Sequence, residues 1–208
     1  MARAEKRYFN FNSAKKPTSG IAKTGLLKRP IGAGIIAYDD SQASAGVFRT
    51  GVSSLTLDTL VGGIMQYRFD VNDEPHIPAI QFSHSIQIDS TINPHLHLIN
   101  KNAIGASPLN IRFEFEYALV NIDGQILATV NDPQEFDIGG LLALTHFIVK
   151  FTDIIPAGDQ GGISSAFICR LKRIAALSDP YNTNDIFTFG FDLHYLKDSV
   201  GSTQEYIK

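Results

Sequence analysis

The sequence predicts an all-β protein: a two-sheet β-sandwich of jelly-roll type with an extended N-terminal arm. Three observations predict it. The dominant hydrophobic period beyond residue 30 is two rather than 3.6. Turn-forming residues punctuate the alternating runs. About nine or ten strands fall within one domain-sized stretch, a number that closes most simply as two packed sheets. The arm is assigned to residues 1–30 and the sandwich to 31–208.

Three long strands are the clearest elements. Ile80, Phe82, His84, Ile86 and Ile88 alternate with Gln81, Ser83, Ser85, Gln87 and Asp89. Ile111, Phe113, Phe115, Tyr117 and Leu119 alternate with Arg112, Glu114, Glu116 and Ala118. Phe187, Phe189, Phe191, Leu193 and Tyr195 alternate with Thr188, Gly190, Asp192, His194 and Leu196. Each run offers one apolar face, because successive strand side chains point to opposite sides. Shorter strands are predicted at 33–38, 46–50, 64–69, 94–100, 126–130 and 144–155. Turns fall at Asn121-Ile122-Asp123-Gly124, Asn131-Asp132-Pro133, Pro156-Ala157-Gly158 and Gly161-Gly162. Ser164–Leu177 holds no Gly or Pro and fits either period. We read it as a strand, since Phe167, Cys169 and Leu171 would then face the core.

The 208 residues are 44% apolar and 19% charged, enough for a substantial core and a low charge for a solvated monomer. Such a balance suits a subunit that hides surface in an assembly. The net charge of -3 conceals an asymmetry. Arg3, Lys6, Arg7, Lys15, Lys16, Lys23, Lys28 and Arg29 face a single acid, Glu5, within residues 1–30. The basic arm reads either as a solvated tail or as an extension docking on an acidic neighbour. Tyr8 and Phe9 give nucleic-acid contact little support. Cys169 is the only cysteine, which excludes an intrachain disulfide and a Cys-rich zinc site. No apolar run is long enough to span a bilayer and no signal-peptide pattern opens the chain, so a soluble protein without a membrane partner is expected.

Histidine is the residue type that points to chemistry. Three of the six lie within 82–98, and His95 and His97 share a strand face after Pro94. A turn at about 89–93 would bring that face near His84, and three imidazoles suffice for zinc or iron. The His-x-His pair on a sandwich invites comparison with the cupins, metal enzymes on a small β-barrel. Their ligand Glu has no counterpart in Leu98-Ile99-Asn100-Lys101-Asn102, and no His follows Pro156-Ala157-Gly158, which leaves His146 to serve. Asp192 and His194 also share a face, as an orienting pair or a surface hydrogen bond. Glu114 and Glu116 read as a solvated or subunit-facing strand side. A sugar-binding module would use exposed aromatics such as Tyr38, Phe136 and Tyr181.

Two motifs carry a family resemblance. Phe82-x-His84 followed by Ile92-Asn93-Pro94-His95-Leu96-His97 resembles a pattern in tailed-bacteriophage virion structural proteins of this length. Phe191-Asp192-Leu193-His194-Tyr195, then Asp198, Gly201-Ser202 and Tyr206-Ile207-Lys208, is similar to that family's closing Asp-x-His-aromatic strand and Gly-Ser tail. His146 and the basic Arg170-Leu171-Lys172-Arg173 lie between them. The resemblance covers roughly residues 80–208, with Leu98 standing where the family has an aromatic. It implies a homotrimeric jelly-roll component of the virion, assembled in the host cytoplasm beside capsid, collar or tail proteins. It implies no catalytic residue and no cofactor. In a trimer His84, Pro94, His95, His97, Asp192 and His194 are the interface candidates. Head decoration is the expected role.

Overall fold

The computed structural model describes residues 37–87, 90–122, 124–126, 128–156 and 164–197. The arm assigned to residues 1–30 lies outside them, with all eight of its basic side chains. The strands are β1 (Ala37–Ser44), β2 (Thr56–Val61), β3 (Ile64–Arg68), β4 (His76–Gln81), β5 (Ile92–Asn100), β6 (Asn110–Val120), β7 (Val130–Asp137), β8 (His146–Lys150), β9 (Ala166–Ile174) and β10 (Ile186–Lys197). Among the described residues no helix is long and apolar enough to cross a membrane.

Strand order establishes the architecture. One sheet runs β2-β3-β10-β5-β8, with β1 lying beside β3 on the same edge of β10, and the other runs β4-β9-β6-β7. Every pairing between strands is antiparallel. The pairs β6–β7, β5–β8, β4–β9 and β3–β10 are those of one long hairpin with its tip between β6 and β7. Successive pairs fall in opposite sheets, so the hairpin is rolled up on itself. That is a jelly roll, the expected all-β sandwich.

The core lies between the two sheets. Leu96 and Leu98 from β5, Phe113 and Phe115 from β6, Phe167 and Leu171 from β9, and Phe191 and Leu193 from β10 are all buried there. Phe115 packs on Phe191 with ring centroids 5.5 Å apart, joining the two sheets through their central strands. Cys169 faces this core, as the strand reading expects, and burial holds its thiol well above its ordinary pKa.

Several element boundaries differ from the sequence reading, each for a physical reason. The run 80–88 is not one strand. β4 ends at Gln81, and Ser83-His84-Ser85 turns the chain from the β9 sheet to the β10 sheet. Phe82 N–H donates to the Ser165 carbonyl at 2.9 Å on one side of this turn, and Gln87 N–H to the Leu196 carbonyl at 2.8 Å on the other. The 46–50 segment is a 3-10 turn over Ala45–Val47 followed by a single bridge from Arg49 to His76. Asn131-Asp132-Pro133 is no turn but lies in the first half of β7. That strand is a sheet edge, where a proline lacking its N–H is tolerated. β8 stops at Lys150, short of the expected 155. β2 escaped notice because only Leu60 in it is buried, so no alternation shows. It joins β3 through Gly62, whose φ of 55° suits a tight hairpin turn. Ser164–Leu177 contains β9, the strand reading of that stretch.

Candidate functional site

Alternation in β5 sends Ile92, Leu96 and Leu98 into the core and leaves Asn93, His95 and His97 on the outer face of the sheet. β10 is less regular. A bulge between Thr188 and Gly190 inserts one residue, so the expected single apolar face breaks. Phe191, Leu193 and Tyr195 stay in the core. Phe187 instead packs outward with Leu60 and Ile99, and Phe189 is 38% exposed. The bulge sets the phase that places Asp192 and His194 on the outer face.

The two motifs then meet. Asp192 pairs with His95, Leu193 with Pro94, and Gly190 with His97 across the antiparallel β5–β10 ladder. Pro94 itself is buried with the core-facing positions of β5. Its carbonyl accepts from Phe151 N–H at 3.1 Å, just past the end of β8.

A carboxylate sits at the centre of the patch. Asp192 is 2% exposed and has a histidine on each side. His97 Nε2 lies 3.0 Å and His194 Nε2 3.3 Å from Asp192 Oδ2. His95 Nδ1 lies 3.6 Å from Asp192 Oδ1, beyond hydrogen-bonding range, and both atoms are buried without a hydrogen-bond partner. His146 of β8 joins from the far side, its Nε2 3.0 Å from His97 Nδ1. His194 Nε2 also approaches Asp40 Oδ1 of β1 at 3.1 Å. Burial holds the His95 ring below its ordinary pKa of 6.5, the His194 ring adds to this, and the Asp192 charge opposes it. His95 is therefore neutral at neutral pH.

Two clefts of about 440 Å³ each flank the patch. One is lined by Gln42, Ser44, His97, His146, Phe189 and Asp192. The other is lined by Tyr38, Asn93, His95, Lys150, Asp153 and His194. The arrangement can bind a cation or a polar group through imidazole nitrogens and carboxylate oxygens. His95, Asp192 and His194 each present a ligand atom within 4.8 Å of the others.

His84 does not join this group. It sits in the turn between the sheets, with Nε2 2.9 Å from Ser164 Oγ. The cupin-like grouping of His84 with His95 and His97 is not formed, and the space between the sheets is filled by Phe115, Phe167 and Phe191. Glu114 and Glu116 are not simply a solvated side. Together with Glu74 they clamp the Arg170 guanidinium, at 3.1 Å for Glu74 and 3.0 Å for Glu114. Asp40 was not legible as part of the site, because its contact comes through β1 pairing with β10, more than 150 residues away.

No family model matches the chain, and no curated protein matches it in sequence. Among solved structures it is similar to the infectious bursal disease virus Gx strain, at 11% identity and a TM-score of 0.39 over 79% of this chain and 32% of that one. It is similar to the D431N mutant VP2 protein of the same virus in T=1 particles, at 10% identity and a TM-score of 0.37 over 77% and 32%. It is also similar to the MgGH51 α-L-arabinofuranosidase, at 11% identity and a TM-score of 0.30 over 77% and 22%. The chain spans about a third or less of the length of these solved chains. Likenesses this distant carry no argument, and the fold rests on the strand order itself.

Proposed function

We propose that the protein is a structural component of a tailed-phage virion, a head decoration subunit. It acts as a homotrimer through subunit contacts, without turnover. The observation that carries this reading is the direct pairing of the two motifs on which the family resemblance rests. Pro94-His95-Leu96-His97 and Asp192-Leu193-His194-Tyr195 are about 95 residues apart in sequence, yet they occupy one ladder and build one patch.

The surroundings of the patch support an interface. Ile148, paired with His97, is 44% exposed and Phe189, packed on His146, is 38% exposed on the same outer face. Clustered apolar side chains at a surface gain from burial against another subunit. A jelly roll serves both particle subunits and enzymes, so the fold alone does not decide.

Sedimentation of the purified full-length chain tests assembly, and immunogold electron microscopy of phage particles tests position. A trimer with label over the heads supports the decoration role. Label confined to the neck or tail replaces decoration with a collar, adaptor or tail role. A monomer that is absent from particles overturns the virion reading altogether.

A further inference from the structure

We propose that His95, Asp192 and His194 bind a divalent first-row transition cation such as zinc, which ties β5 to β10 on the outer face of the sandwich. The proposal does not depend on the virion reading.

The argument starts from two atoms that lack partners. Asp192 Oδ1 and His95 Nδ1 are both buried without a hydrogen bond, on side chains only 3% and 7% exposed. They face each other at 3.6 Å. Two buried polar atoms in that state cost free energy unless something lies between them. His95 Nδ1 and Asp192 Oδ1 thus face a common spot. A cation satisfies both.

The spacing fits. Ligand atoms on a tetrahedral centre with bonds of about 2.0–2.1 Å sit about 3.3–3.4 Å apart. The 3.6 Å between His95 Nδ1 and Asp192 Oδ1 lies close to that value, and His194 offers a nitrogen within 4.8 Å of both residues' ligand atoms. Two imidazole nitrogens and a carboxylate suit zinc and its neighbours rather than magnesium or calcium, which favour all-oxygen sites. His194 Nε2 already faces the same carboxylate, and its ring packs edge-on against the His95 ring with centroids 4.3 Å apart. Asp40 Oδ1, 3.1 Å from His194 Nε2, is placed to supply a fourth oxygen from β1.

Neighbouring hydrogen bonds orient the carboxylate. His97 Nε2–H donates to Asp192 Oδ2 at 3.0 Å, and His97 Nδ1 accepts from His146 Nε2–H at 3.0 Å. This chain fixes the tautomers of both rings and holds Oδ2, so that Oδ1 is left for the ion. Such bonds to ligating groups position them and raise their affinity.

Full-length protein stripped with a chelator and titrated with Zn²⁺ and Co²⁺ tests the site. The expected result is one ion per chain, visible Co²⁺ absorption of tetrahedral intensity, and a thermal midpoint raised by Zn²⁺ but not by Mg²⁺. His194→Ala, which alters a partly exposed ring and should fold, weakens binding at least tenfold, as does Asp192→Asn. His84→Ala leaves binding unchanged. Absence of uptake overturns the assignment. So does uptake that survives His194→Ala but is lost in His146→Ala, which would place the ion on the His97–His146 pair instead.

Discussion

Arg173 offers the sharpest test of how this sandwich is held closed. Its side chain is fully buried, at 0% exposure, near the end of β9. Nη1 donates to the Phe69 carbonyl at 2.7 Å and Nη2 to the Tyr181 carbonyl at 2.8 Å, with longer contacts of 3.4 Å to the Thr183 carbonyl. One guanidinium thus laces the segment after β3 to the loop between β9 and β10. Burial pushes its pKa down to about 10, against the pull of Asp70 and Asp185, so it stays charged at neutral pH. Arg173→Met removes the charge and leaves those buried carbonyls without donors. Hydrogen bonds to charged groups contribute about 1.5–3 kcal/mol each, and the variant loses two short ones, to the Phe69 and Tyr181 carbonyls. The expected loss is about 3–5 kcal/mol, a large share of the roughly 5–15 kcal/mol that holds a domain folded. Guanidinium denaturation of variant and parent measures it as a lower midpoint at unchanged slope. Arg173→Lys should fall between them, since one ammonium cannot span three carbonyls in a fork. A loss below about 1 kcal/mol would refute the reasoning, because relief of the charge-burial cost would then cancel the lost bonds.

Four further outcomes are expected. A Cβ added at Gly190 would lie 2.7 Å from the Ala43 carbonyl oxygen, so Gly190→Ala should push β1 away and cost about 1–3 kcal/mol, read by thermal melting. The bond from Thr129, then that from Arg170, holds the Glu116 carboxyl below its ordinary 4.5. Its contribution is full above that pH and is lost as the pH falls through the lowered value. Stability of Glu116→Gln should therefore decline less steeply below pH 4.5 than that of the parent. Replacing both Ile148 and Phe189 by Ser should shift the sedimentation profile toward monomer while the circular dichroism spectrum is retained. Deleting residues 1–30 should weaken attachment to particles but leave a folded body, and unfolding of the truncated chain would sink that division of labour.

The strands that the sequence shows best are those with one face buried along their whole length. β6 is the clearest, with Ile111, Phe113 and Phe115 inward and Glu114 and Glu116 outward. β2 is nearly invisible for the opposite reason, since its side chains are mostly exposed on both faces. The shared face of His95 and His97 follows from strand periodicity alone. Their meeting with Asp192 does not, because pairing across such a gap in sequence leaves no local signal. The bulge near Gly190 is equally silent, and it alone decides that Phe189 faces outward. Arg173 sits at a core-facing position of β9, where a charge contradicts the apolar pattern. Its reason lies in the carbonyls of the loop that follows β9 and of Phe69, 104 residues away. Asn131-Asp132-Pro133 misleads because turn chemistry and edge-strand tolerance use the same residues.

The position of β10 bears on how the chain is made. It is the last described strand, yet it lies inside its sheet, paired with β1 and β3 on one side and β5 on the other. A nascent polypeptide can close the hairpin tip formed by β6 and β7 early, but β5 must wait for its inner neighbour until β6 to β9 and then β10 have left the ribosome. Until then the outer histidines have no Asp192 to meet. A prematurely terminated product therefore lacks both the closed sheet and the patch.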